Sequence, residues 1–291
     1  MKKLLGLLFC ISHAVLLIAA RPIVLVHGIL ADTHDMQPTI EYIEKYLPDT
    51  YVKNIKIGNG GFASMHNMYD QGQMIIEEIS SDTELADGFN MICHSQGGLV
   101  GRYYVEKCNS PRVHNYISWG SPQMGVCGTP GSYDDRFTFM NYIEQIIWYA
   151  MYSSLMQQYT SVAGYWRDAV HYDEYLTHCL FLPILNNEKK HILNELFKDH
   201  ICSLEHMVLV ASPSDNIIEP LESCHFGYYK QGSVSETETV FESEWYRYDT
   251  LGLKTLYDSN RLHLRYAKCT HTDYQEDESN FVDNTLPYLT A

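Results

Sequence analysis

The chain has 291 residues, long enough for one large α/β domain with an insertion. Its balance of 45% hydrophobic and 19% charged residues is globular and excludes a disordered or collagen-like chain. Asp and Glu outnumber Lys and Arg 36 to 20, and the resulting charge of -16 repels a phosphate backbone, excluding nucleic acid as a partner.

Lys2 and Lys3 precede an apolar run from Leu4 to Ile18, and the small pair Ala19-Ala20 follows. The run is shorter than the roughly 20 residues that cross a bilayer. Residues 1–20 therefore read as a cleaved signal peptide, with a mature start at Arg21 and no stable membrane span. Entry to the secretory path follows, although no Asn-x-Ser/Thr sequon is present. Beyond the signal lie Cys93, Cys108, Cys127, Cys179, Cys202, Cys224 and Cys269; the number is odd, so at least one thiol stays free or pairs between chains. Their spacing to histidines is poor for zinc, and no metal or cofactor is expected.

Strands and helices then alternate. Pro22 to Val26 is a continuous apolar run, the mark of a strand buried on both faces. Helix is predicted over Met36–Leu47, strand over Tyr51–Ile57, helix over Ser64–Ser80, strand over Gly88–Cys93, helix over Gly97–Cys108 and strand over Val113–Trp119. This order predicts an α/β fold with a mostly parallel central sheet and helices on both faces. From about 133 to 200 the pattern is helical and aromatic and reads as an inserted cap, leaving residues 21–291 as one domain. Strand returns at His206–Ala211, a hairpin-like stretch is expected at Val240–Tyr248, a last strand at His263–Cys269 and a closing helix at Glu276–Leu289.

The chemistry concentrates at Cys93-His94-Ser95-Gln96-Gly97. A serine between a buried strand and a helix sits on a sharp turn that lifts its hydroxyl to the carboxyl edge of the sheet. The residues two before and two after it must be small, and Cys93 and Gly97 are. His27-Gly28, directly after the first strand, supplies the partner turn, so the backbone N–H groups of Ile29 and Gln96 are the expected oxyanion donors. Gly58-Asn59-Gly60-Gly61 lacks the Lys-Ser/Thr of a phosphate cradle and reads as a loop. A serine nucleophile needs a base and an orienting acid, in the chain order Ser, acid, His. Asp215 directly follows the His206–Ala211 strand and is the first choice of acid; Glu219 is the second. His271 follows the last strand and is the expected base among 14 histidines.

Taken together, these segments resemble the palmitoyl-protein thioesterase family of α/β-hydrolases, closest to its second branch, over roughly Arg21 to Leu289. Besides the serine segment, the matching motifs are Pro22 to Gly28, Ser121 to Val126, Tyr165 to Asp168, Phe181 to Glu188, Asp215 to Pro220, Phe226 to Tyr229 and Leu251 to Lys254. The resemblance implies a catalytic triad of Ser95, Asp215 and His271, no cofactor, lysosomal residence, and hydrolysis of long-chain acyl thioesters on palmitoylated protein or palmitoyl-CoA. It also implies a cysteine bridge from the helix before the serine to Cys108, but Ser64–Ser80 contains no cysteine. The rival readings are a secreted lipase or carboxylesterase with the same triad and a non-catalytic acyl-lipid binder; oligomeric state and cysteine pairing stay open.

Overall fold

The computed structural model describes residues 20–57, 61–127 and 150–290. The predicted signal peptide, most of the Gly58–Gly61 loop and the first part of the predicted cap lie outside the described residues.

Six strands form one parallel sheet: β1 (Ile23–Val26), β2 (Val52–Ile55), β3 (Phe89–His94), β4 (Val113–Trp119), β5 (His206–Ala211) and β8 (Leu262–Tyr266), in the order β2-β1-β3-β4-β5-β8. β6 (Tyr228–Tyr229) and β7 (Thr237–Glu238) form a separate antiparallel pair. Two helical layers cover the main sheet, and strand alternation assigns the side chains to them. Val24 and Val26 join the core beneath α2 (Met68–Ser80) and α3 (Gln96–Lys107). Ile23 and Leu25 join the opposite core, with α1 (Gln37–Tyr46). Both faces of β1 are dry, which is why its sequence is an unbroken apolar run. Each such side chain contributes about 1.5–3 kcal/mol on burial.

Between β4 and β5 the described chain is helical: α4 (Ser154–Tyr159), α5 (Ser161–Tyr165), α6 (Tyr172–His178), α7 (Leu182–Leu185) and α8 (Asn194–Cys202). Most of its described aromatic residues are core, with Tyr165, Trp166, Tyr175, Phe181 and Phe197 buried. No helix among the described residues is long and apolar enough to cross a membrane. Among the described residues Cys93, Cys108, Cys179, Cys202, Cys224 and Cys269 are free thiols.

Several expected elements differ. Val240–Tyr248 is not a hairpin but a 3-10 turn, Val240–Glu242, followed by α9 (Glu244–Arg247). Thr239 and Glu242 form a capping box, and Ser243 caps α9 through the Tyr246 N–H; these side chains satisfy the backbone as a strand ladder would. The predicted helix over Ser64–Ser80 begins only at Met68, because Asn67 caps it, and Ser64 lies in the 3-10 turn before it. The last strand ends at Tyr266, not Cys269, because Ala267 onward turns out of the sheet toward the site. α10 (Leu253–Asp258) precedes it. The closing helix is two pieces, α11 (Glu278–Asn284) and α12 (Leu286–Leu289), with Pro287 in the first turn of the second.

Candidate active site

All the chemistry-bearing residues sit at the carboxyl edge of the sheet. Register pairs Val26 with Cys93, His94 with Trp119, Trp119 with Val210 and Ala211 with Tyr266. The chain therefore leaves five neighbouring strands at about the same height, and four of them, β1, β3, β5 and β8, carry His27, Ser95, Asp215 and His271 onto one ledge. Ser95 adopts φ 53°, ψ -130°, the strained backbone of a turn that projects its side chain. Gly97 is required: a Cβ there would lie 2.4 Å from the His27 carbonyl oxygen. Cys93 is tolerated because Gly101 faces it, where a Cβ would come within 2.5 Å of the Cys93 sulfur. Gly28 brings the first turn against the serine, with a Cβ there 3.0 Å from the Ser95 Cβ.

The structure brings Ser95, His271 and Asp215 together. His271 Nε2 is 2.9 Å from Ser95 Oγ, and His271 Nδ1 is 2.7 Å from Asp215 Oδ2. A carboxylate only accepts, so Nδ1 carries the proton and Nε2 is left to accept the serine O–H. The Asp215 side chain is fully buried, and its other oxygen accepts the N–H groups of Ile217 and Ile218 at 2.9 and 3.2 Å. Ser212 Oγ donates to the Cys269 carbonyl at 2.6 Å, tying the acid loop to the histidine loop. Glu219 does not join the cluster; its carboxylate accepts the Tyr229 hydroxyl at 2.5 Å.

The supporting contacts of some site residues carried little signal at the sequence level. His94 Nε2–H donates to the His271 carbonyl at 2.8 Å, and Gln275 donates to His94 Nδ1 at 3.0 Å. Burial, with the adjacent His271 ring, pushes the His94 imidazole down to about 3, so it holds His271 as a neutral ring. Its place beside the serine was the one hint available. Gln96 is held by its side chain: its amide donates to the Ser64 carbonyl at 2.7 Å and to Gln71 Oε1 at 3.0 Å, and it accepts the Tyr165 hydroxyl at 3.1 Å. Ile29 lies in the turn that Gly28 packs on Ser95.

A parallel six-stranded sheet with a strained serine on the strand–helix turn after β3 defines an α/β-hydrolase. Solved structures agree at the level of fold: one from work on the metagenome-derived lipolytic enzymes LipS and LipT superposes with a TM-score of 0.50 at 12% identity, covering 94% of each chain. The Bacillus licheniformis lipase BlEst2 in propeptide form gives 0.52 at 14% identity, covering 94% of this chain and 51% of its own. The family model described as palmitoyl protein thioesterase matches residues 22–271, and the chain belongs to that family of hydrolases. It is 38% identical to palmitoyl-protein thioesterase 3 of Dictyostelium discoideum over 99% of each chain. To the lysosomal thioesterase PPT2 homolog of Drosophila melanogaster it is 32% identical, covering 90% of this chain and 88% of the relative. To human lysosomal thioesterase PPT2 it is 29% identical, covering 92% and 88%.

Proposed function

We propose that this enzyme is a serine thioesterase that hydrolyses long-chain fatty acyl thioesters, on palmitoylated protein cysteines or on acyl-CoA, through an acyl-enzyme. One observation carries the reading: in a chain of this family, His271 stands within hydrogen-bond reach of both Ser95 and Asp215. His271 Nε2 takes the Ser95 proton as Oγ attacks the thioester carbonyl carbon. Asp215 stabilises the imidazolium, and the backbone N–H groups of Ile29 and Gln96 receive the oxyanion. The C–S bond breaks, the sulfur leaves with the proton from His271, and the acyl group stays on Ser95. Water, deprotonated by the same His271, then releases the fatty acid and restores the serine.

A thiol with a pKa near 8.5 leaves more readily than an alcohol, which favours thioesters over the oxygen esters of a lipase. The helical segment between β4 and β5 serves as the cap, with an acyl groove against it. Burying the acyl chain contributes about 0.8 kcal/mol per CH₂, enough to select long chains. The compartment is lysosomal or extracellular, a reading supported by the signal-like start and by the names of the human and Drosophila relatives.

The test is turnover of palmitoyl-CoA and of a palmitoylated protein against a palmitate ester of an aliphatic alcohol by the purified enzyme. The expected result is a higher kcat/KM on the thioesters, with Ser95→Ala inactive and a fluorophosphonate attached to Ser95. Full activity in Ser95→Ala would overturn the serine reading; preference for the oxygen ester would favour the lipase. N-terminal sequencing of the native protein is expected to begin near Arg21, and Met1 would contradict the secretory reading.

A further inference from the structure

Two buried side chains brace the turn that carries Ile29 from opposite sides. An amide is planar and trans, so its C=O and N–H point in opposite directions, and fixing one end aims the other. The N–H of Ile29 shares its peptide with the carbonyl of Gly28. That carbonyl accepts a hydrogen bond from His27 Nδ1–H at 2.9 Å. The other ring nitrogen, Nε2, faces the Ile57 N–H at 3.4 Å, a contact that only an unprotonated Nε2 can accept. The two bonds select a single neutral tautomer. Burial lowers the pKa of His27 below the ordinary histidine value, which keeps that tautomer in place.

The next peptide is held as well. Leu30 has φ 57°, a left-handed backbone that a branched residue adopts only under constraint. Its N–H donates to Ser64 Oγ at 2.7 Å. The Ser64 carbonyl in turn accepts the side-chain amides of Gln96 at 2.7 Å and Gln71 at 2.8 Å. Ser64 thus joins the turn after β1 to the first residue of α3, whose N–H is the other expected oxyanion donor. His27, Ser64, Gln71 and Gln96 are all buried, which shields the bonds among their side chains from solvent.

We propose that His27 and Ser64 are positioning residues that aim the Ile29 N–H into the oxyanion site. Neither touches the substrate. The inference rests on the serine reading above, because an oxyanion forms only if a nucleophile attacks the carbonyl. An oxyanion donor is worth about 10²–10³ in kcat when lost, and a donor turned out of line forfeits part of that.

The experiment compares wild type with His27→Phe, His27→Asn and Ser64→Ala on palmitoyl-CoA, with rates normalised to folded protein by circular dichroism. An alkyl trifluoromethyl ketone, which forms a tetrahedral adduct with a serine, reports the oxyanion site directly. His27→Phe is expected to lower kcat on the order of 100-fold with KM within about threefold, and to raise the ketone Ki by the same factor. Ser64→Ala should do the same to a smaller extent. His27→Asn keeps an N–H donor where Nδ1 stood and is expected to recover most of the loss. A purely structural role would reduce the folded fraction but leave the ketone Ki of the remaining enzyme unchanged, and that result overturns the brace. So does an inactive Ser95→Ala paired with a near-wild-type His27→Phe, whereas an active Ser95→Ala removes the serine reading and the brace with it.

Discussion

The space around Ser95 is set by hydrogen atoms. A Cβ on Gly97 would press against the His27 and Val26 carbonyl oxygens, which are backbone and have nowhere to go. Gly97→Ala is therefore expected to lose most activity and to lower the melting temperature, since the helix must shift away from β1 to admit one methyl. The two candidate acids separate as sharply. Asp215→Asn is expected to lower kcat at least about 100-fold, with KM little changed, because the amide no longer stabilises the imidazolium. Glu219→Gln should stay within about tenfold of wild type, because its partner is a tyrosine hydroxyl rather than the histidine. Both variants are to be assayed at one pH on one thioester; a dead Glu219→Gln beside a near-normal Asp215→Asn would reverse the choice. Ser95, Asp215 and His271 were legible because each follows a strand at a position the fold prescribes. His27 was legible only as part of a turn. Nothing in its type distinguished a ring that braces a peptide from a ring at the surface.

Elements transmit these constraints. The helical segment after β4 is pinned by Arg167, which pairs with Glu188 at 2.7 Å and lies over the rings of Tyr172, Tyr175, Tyr228 and Trp245. Both partners are nearly inaccessible. Arg167→Leu leaves the Glu188 carboxylate buried without its cation, so a loss of about 3–5 kcal/mol is expected, measured by urea unfolding. A loss below about 1 kcal/mol would mean that the tyrosine hydroxyls of Tyr172 and Tyr175, which also donate to Glu188, suffice. The matching segments Tyr165–Asp168 and Phe181–Glu188 contain both partners, but no local pattern announces a pair 21 residues apart. The Val240–Tyr248 error has a different origin. Thr239 and Glu242 carry a capping box at the start of a stretch too short for hydrophobic periodicity to separate strand from helix.

Across the whole molecule, buried titratable groups set how stability follows pH. Burial lowers the pKa values of His27, His94, His206, His225 and His263, the last to about 4 and His94 to about 3. The unfolded chain binds these protons near pH 6.5 while the folded chain refuses them. Their stabilisation is thus complete above the ordinary histidine value and is lost as pH falls toward about 4 and then about 3. Glu106 has the opposite sense. Burial raises its carboxyl to about 8, only partly countered by Arg102. It holds a proton that the unfolded chain releases near 4.5, so its contribution is present in acid and lost as pH rises through about 8. Melting curves are expected to show Glu106→Gln losing less stability than wild type between about pH 5 and 8. An unchanged slope would mean that Glu106 is ionised in the fold, paired with Arg102 3.4 Å away.

The sequence alone determined the strand–helix alternation, the serine turn and the chain order of the candidate triad. Apolar runs and small residues at fixed offsets are local consequences of a sheet covered on both faces. It also carried the choice of Asp215, since a short acid directly after β5 reaches the ledge. The tertiary structure alone decided what holds these groups still. Gln275 and His94 support the His271 carbonyl, Ser64 links Leu30 to Gln96, and Tyr165 reaches Gln96 from the helical segment. These are hydrogen bonds between residues far apart in the chain. Their partners are ordinary polar types, and only the packed fold, by excluding water, settles which of them meet.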